Sequence, residues 1–448
     1  MRRLYWLIPL IALILLTAFF PSLASTSLGK PLLIRALENR LQGTVSIETV
    51  RLSWFGPQRF EKIAFSNPQI AGSAEAVLSN APLWSLSDLG ESFQLKNGSF
   101  SFPSYGGGRI EHVDAQIEGS EIAATGNTDQ GGSLSVKGKI YSRDDFDVVA
   151  RLKSVPVGAL DQLAHADGLL YQILGPTLDL NGAVVYNRGE GSLSLDVSST
   201  NVQTILAASL TENAFALKEP LTATLRLTSE LGASLMREIN PLFLTGLEAK
   251  NPIILRVSPK NFSFPLPFSL QKLKIGNATL DMGQVRARTG KSLRSLLALL
   301  KKERIGSEVD LWFTPVAFKV ENGLIETGRM DALIAGDIHI CTWGDIDLVR
   351  DRLQMVLGLP AETLAQSFQI QNLPRSYVMK IPIRGSTKDP EFETGPAAAK
   401  IAAMAAAQQI PKAGGKAGKA FGGLLNLFSQ AKEDEDAPPP NRPFPWEK

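Results

Sequence analysis

The sequence predicts a mainly β protein built on antiparallel sheet, and three observations carry that prediction. Short runs in which apolar and polar residues alternate recur from residue 44 to residue 392, and alternation at period two marks a strand with one greasy face and one wet face. The runs are separated by brief stretches of Gly, Asn, Asp and Pro, and connections that short join neighbouring strands antiparallel. Hydrophobic residues make up 44% of the 448 positions, enough for one large or two ordinary domains with a core. The alternating runs amount to roughly twenty strands with a few amphipathic helices between them, whereas open sheets rarely exceed about 10 strands without curling or splitting. An elongated, curled trough and a pair of sandwiches both satisfy that pattern.

The first element is an apolar run. Arg2 and Arg3 precede residues 4–20, "LYWLIPLIALILLTAFF", about the minimum length for a transmembrane helix. The basic residues before it and the uncharged ones up to Lys30 orient it N-in, C-out. The body would then lie outside the cytoplasm. Residues 22–27, "SLASTS", also offer the small residues of a cleavable signal peptide. Residues 1–25 are therefore read as a membrane anchor or signal segment, 26–392 as an exported β body and 393–448 as a tail.

Residues 31–41 predict a short amphipathic helix with Leu33, Ile34, Leu37 and Leu41 on one stripe. Next, "TVSIETVRLSW" (44–54) alternates at Val45 and Ile47 and then slips phase to Val50, Leu52 and Trp54, the signature of a β-bulge. Strands follow at 93–102, 109–117, 133–140 and 146–152, and the "KNGS" of 96–99 reads as a tight hairpin turn. Residues 156–174 are helical in character. Further strands are predicted at 177–186, 191–199 and 221–228, and the interval 231–243 reads as a helical turn or two. The cleanest alternations supply the candidate apolar-face residues Leu134, Val136, Ile140, Leu178, Leu180, Leu193, Leu195, Val197, Leu221, Leu225 and Leu227.

The last strands fall at 267–287, 307–330 and 331–341, with a leucine-rich helix at 291–304 between them. Its Leu293, Leu296, Leu297 and Leu300 keep helical rhythm and its other face is basic, which suits either a lipid surface or, as the plainer reading, a helix covering a sheet. The tail is alanine-rich, then glycine- and lysine-rich, then acidic and proline-rich, and is expected to be partly helical and partly disordered.

Composition excludes much chemistry. A net charge of +2 gives no global attraction to nucleic acid. Cys341 is the only cysteine, and His112, His165 and His339 are the only histidines. No His-Glu-x-x-His, Cys-x-x-Cys or Gly-x-Ser-x-Gly stretch occurs. His339 and Cys341 would share one strand face, but too few further ligands lie nearby for a closed zinc site. His112 sits beside Glu111 and near Asp114, which strand alternation does not bring together, and Asp144-Asp145 reads as a solvated turn. No catalytic residue, metal or cofactor is expected.

In layout the sequence resembles the AsmA-like family of envelope proteins, relatives of TamB and of the bridge-like lipid transfer proteins. The resemblance lies in the apolar anchor, the helix 31–41 and "GTVSIETVRLSWFGPQRFEKIAF" (43–65). Farther along it lies in "FPLPFSLQKLKIGNATLDMG" (264–283), the leucine-rich helix, "FTPVAFKVENGLI" (313–325), "GDIDLVRDRLQMVLGL" (344–359) and "YVMKIPIRGSTKDPEF" (377–392). It implies a sheet curled into a taco-like groove that binds phospholipid acyl chains, with a single-pass inner-membrane helix and a periplasmic body. The implied role is lipid transport or outer-membrane biogenesis, or alternatively a non-enzymatic scaffold for outer-membrane proteins, with other envelope proteins as partners.

Overall fold

A computed structural model describes residues 25–26, 29–54, 56–80, 92–103, 108–142, 144–163, 167–226, 247–288, 291–300, 306–387, 389–409 and 437–447. The protein is mainly β, with 57% strand and 16% helix, and its strands form a large antiparallel sheet that is not closed. The chain divides into two compact units, Met1–Leu206 and Ala207–Lys448.

Unit 1 begins with helix α1 (Lys30–Leu41), followed by strands β1 (Thr44–Arg51), β2 (Gln58–Ser66), β3 (Ala71–Ser79), β4 (Ser92–Ser101) and β5 (Arg109–Glu118). After them come β6 (Glu121–Thr128), β7 (Ser133–Ser142), β8 (Asp145–Pro156), helices α2 (Val157–Leu163) and α3 (Leu169–Leu174), β9 (Thr177–Asn187) and β10 (Glu190–Ser199). Each strand pairs antiparallel with the next, giving an up-and-down meander. Between β9 and β10 the two-residue loop Arg188-Gly189 takes φ of 47° and 95°, the pair of left-handed values that matches strand twist in a tight hairpin.

The buried phase of β1 does slip, but no β-bulge accompanies it: the register with β2 runs unbroken from Thr44↔Ser66 to Arg51↔Arg59. Val45, Ile47 and Val50 are all buried in one cluster, covered by Leu33, Ile34 and Leu37 of α1. Opposite the slip, Lys62 adopts φ 49° and its Nζ lies 2.8 Å from Glu48. Leu41 does not join the stripe and stays 45% exposed.

Asn97-Gly98 is not a hairpin turn. β4 runs straight through it, and the register with β5 shifts between Leu95 and Gly98. The positive φ that asparagine tolerates, here 48°, is spent on a bulge instead. Asp114 Oδ1 accepts the Asn97 N–H at 2.9 Å, and Asn97 Oδ1 lies 3.0 Å from His112 Nδ1. His112, itself at φ 50°, therefore serves a second bulge on the next strand.

Helices α2 and α3 are joined through Asp161, whose buried carboxylate accepts the backbone N–H groups of Gly168 at 2.6 Å and Leu170 at 2.7 Å. Ala159 of α2 packs with Phe102, Ile110 and Val113, and Leu134 borders that cluster.

Strand β11 (Val202–Thr211) spans the division between units, and its residues 208–210 pair with β12 (Ala214–Leu217). The remaining elements are β13 (Leu221–Leu225), β14 (Leu247–Ala249), β15 (Ile253–Val257), β16 (Phe264–Pro265), β17 (Lys274–Asp281), β18 (Gln284–Arg288) and α4 (Lys291–Leu299). Then follow β19 (Glu308–Phe313), β20 (Val316–Glu321), β21 (Leu324–Ile334), β22 (Ile338–Asp347), β23 (Arg352–Pro360) and α5 (Ala361–Phe368). The last elements are β24 (Val378–Gly385), β25 (Pro390–Phe392), α6 (Thr394–Gln409) and a 3-10 turn, Pro445–Glu447.

The ladder of unit 2 branches at β21, whose first half pairs with β20 and whose second half pairs with β19. One branch continues through β17 and β15 to β13 and the other through β18 to β14, while β22, β23, β24 and β25 extend the far side. Unit 2 has a closed core. Leu296, Leu297 and Leu300 are buried, as are Ile253, Leu280, Val285, Phe313 and Leu357, and the leucine-rich helix lies against β25, so its leucines cover protein. The alanine-rich α6 buries Ala397, Ile401 and Met404, a stripe at i, i+4 and i+7.

No helix among the described residues is long and apolar enough to cross a membrane. The expected anchor falls, but for Ser25, outside the described residues, as do the helical turns at 231–243 and Leu227.

Candidate functional site

The candidate site grows from strand register. On β7, Leu134, Val136, Gly138 and Ile140 share a face by alternation. Leu134 sits opposite Leu152, Leu152 opposite Leu180 and Leu180 opposite Val197. The next row runs Val136, Ala150, Gly182 and Leu195, and the third runs Gly138, Val148, Val184 and Leu193. Ile140 begins a fourth with Phe146 and Tyr186, whose rings stack at 5.5 Å between centroids. On β6, Ile122 and Ala124 extend two of these rows beside Gly138 and Val136.

Seven of the eleven candidates, Leu134, Val136, Ile140, Leu180, Leu193, Leu195 and Val197, thus form one continuous apolar surface across β7, β9 and β10. At Gly182 an added Cβ would lie 2.9 Å from Leu195 Cδ2 and 3.2 Å from Leu180 Cδ2. The neighbouring leucines lean over the glycine and close the row.

Burial separates this surface from an ordinary core. Leu134, Val136, Leu180, Leu193, Leu195 and Val197 are all half-buried, as are Ile122, Val148, Leu152 and Val184. Ile140 is 43% exposed. By contrast the inward residues of β21 to β24, such as Met330, Ile340, Leu357 and Ile381, are buried. Leu178 departs from its set, being buried at the end of β9 opposite Val155. Leu221 and Leu225 lie on β13 in unit 2, opposite the buried Val257 and Ile253.

The reverse face of β5 to β8 is charged. A depression of 740 Å³ there is lined by Glu118, Glu121, Lys137, Lys139, Asp147 and Arg151 together with the apolar Ala123 and Val149, and Lys139 Nζ lies 3.2 Å from Glu121 Oε1. Residues that alternate with the apolar rows keep this side wet.

The few residues with reactive potential lie elsewhere. His339 and Cys341 do share a face of β22, and both are buried rather than half-buried; α5 and residues 437–447 meet His339, and Cys341 Sγ lies against Gly358 of β23. His339 Nε2 lies 2.8 Å from Asp331 Oδ1, and its Nδ1 meets Glu362 Oε1. Asp331 is also clamped by Arg329, with Nη2 at 2.7 Å from Oδ1 and Nε at 3.0 Å from Oδ2. Burial opposes charge on His339, but the hydrogen bonds to Asp331 and Glu362 outweigh it and hold the imidazole above its usual range. The same bond to His339 holds Glu362 below its usual range. Burial pushes the Cys341 thiol up to about 12, which leaves no thiolate at neutral pH. No cluster of three or more His, Cys, Asp or Glu able to hold a metal occurs among the described residues.

Sequence reasoning missed Arg329, Asp331, Glu362, Phe444 and Trp446 because they converge from three separate segments. A charged pair two apart inside the apolar strand "RMDALIA" (329–335) was the available signal, since charges on a covered strand require partners. No family model, no curated protein and no solved structure matches the chain.

Proposed function

We propose that the chain is a membrane-anchored envelope protein that binds phospholipid acyl chains on the apolar face of β6 to β10, acting in lipid transport or outer-membrane biogenesis without catalysing a reaction. Residues 1–25 would hold it in the inner membrane and the body would work in the periplasm. The observation that carries this reading is the run of in-register apolar rows left half-buried in a protein whose other unit buries the same kind of face fully. A contiguous apolar patch beyond a few hundred Å² is uncommon on a monomer without a ligand. Each methylene withdrawn from water there contributes about 0.8 kcal/mol, so an acyl chain needs no polar contact to bind. The recognition is accordingly unselective for head group.

The test is mass spectrometry of the full chain purified in mild detergent. Wild type should carry phospholipid, Val136→Asp and Leu195→Asp should lose it, and Lys137→Asp on the reverse face should retain it. Absence of lipid from the wild-type protein would refute the reading. A scaffold role draws on one feature, the outer edge of β1, which pairs only with β2 among the described ladders. Photo-crosslinkers at Ser46 that capture protein, together with crosslinkers at Leu195 that capture no lipid, would decide for it.

A further inference from the structure

We propose that unit 2 carries a peptide-binding groove, framed by β21, β22 and α5, whose ligand class is a proline-rich segment with paired aromatic anchors. Residues 437–447, "APPPNRPFPWE", are its resident and displaceable occupant. The inference does not depend on lipid binding, since groove and occupant both lie in unit 2.

The groove encloses 840 Å³ with the segment in place. Arg329, His339, Glu362, Ile370 and Arg375 line it from the body, and Pro438, Pro439, Pro440 and Phe444 line it from the segment. Phe444 is the anchor, only 2% exposed. It stacks on Trp446 at 4.9 Å, and both rings meet the edge of His339, at 4.9 and 5.7 Å. At the other end, Arg329 Nη1 donates to the Pro438 carbonyl at 2.9 Å. The aromatic anchors are on the segment and the groove supplies the pocket; a buried aromatic side chain is a strong anchor for a short ligand, and proline-rich chains lose little freedom on docking.

Two further observations make the segment a ligand and not a fixed part of the core. First, it holds its own shape. Phe444 N–H donates to Glu447 Oε2 at 2.9 Å, Glu447 N–H donates to the Phe444 carbonyl at 3.0 Å, and the Arg442 guanidinium lies 4.8 Å from the Phe444 ring centre. A pre-shaped segment binds at lower ordering cost. Second, the groove floor satisfies itself. The Asp331 carboxylate is held by Arg329 and His339, the Asp331 N–H donates to Thr314 Oγ1 at 2.8 Å, and His339 holds Glu362. Departure of the segment frees one Arg329 N–H and leaves the Asp331 carboxylate with both of its partners. In sequence, residues 410–436 lie between α6 and the segment.

The test uses a fluorescein-labelled synthetic peptide of residues 437–447 and the full chain carrying Phe444→Ala and Trp446→Ala. Fluorescence anisotropy should show saturable binding to the double variant at least 10-fold tighter than to wild type, whose groove is filled in cis. A peptide with the same two alanines should bind neither form. If near-UV circular dichroism shows that the double variant has lost its fold, a protease site engineered within 410–436 supplies the second route. After cleavage of that chain, the released segment should be replaced by labelled peptide on gel filtration. Equal binding to wild type and variant, or no binding to an intact fold by either route, would overturn the proposal.

Discussion

His339 lies between two carboxylates of unequal exposure, and that placement sets a pH window for unit 2. Its imidazole is held above its ordinary value of 6.5, so the stability it contributes is complete below that value and is lost as pH rises through the raised one. Glu362 is held below its ordinary 4.5, so its contribution is present above that value and is lost as pH falls through the lowered one. Thermal melts of the full chain should therefore be highest between the ordinary values, from 4.5 to 6.5, and His339→Gln should flatten the alkaline side. Stability that keeps rising with pH above 6.5 would contradict the assignment. Asp331 makes a sharper case. Asp331→Ala would leave Arg329 buried without its counter-charge and His339 with Glu362 alone, a loss of about 3–5 kcal/mol when one partner of a buried pair is removed, measurable as a lowered urea midpoint. Cys341, buried and with its thiol pushed up to about 12, should resist maleimide labelling in the native chain and react on unfolding.

At the scale of single elements, helix α4 and strand β10 carry similar leucines in opposite circumstances. Leu296 is buried against protein and Leu195 is half-buried on an open row. Leu296→Ala should cost about 2–5 kcal/mol by leaving a cavity that its neighbours fill incompletely. Leu195→Ala opens no cavity and should cost clearly less while still reducing lipid retention. Equal losses in denaturant titrations would mean that β10 is covered as fully as α4. The same contrast explains what was legible in the sequence. Alternation is local, so β7, β9 and β10 could be read from their own residues, and so could the covering stripe of α4. β3, "AGSAEAVLS", and β6, "EIAATGNT", are made of small residues with little strand signal. They are strands because β2, β4, β5 and β7 offer them edges. Asn97-Gly98 misleads for the same reason: left-handed backbone serves a turn or a bulge equally, and pairing partners far away in sequence decide which.

For the whole molecule, the contrast is between the half-buried apolar face of β6 to β10 and the buried inward residues of β21 to β24. Strands held by ladder bonds with one face uncovered open more readily than strands inside a core, so amides of β6 to β10 should exchange with deuterium faster than those of β21 to β24. Alternating sequence predicted the apolar rows but could not distinguish a trough from a sandwich, because that depends on what lies above the rows and not on the rows themselves. A ligand that binds the folded face protects it by mass action. Incubation with phospholipid in mixed micelles should therefore slow exchange in β7, β9 and β10 and leave β22 and β23 unchanged, whereas detergent micelles without phospholipid should produce the smaller effect. Uniform protection of both units, or none, would mean that lipid does not lie along Leu134, Leu180 and Val197. Protection confined to β1 and β2 would instead place the working surface at the exposed edge of the meander. The two functions are thus separated by which strands slow down.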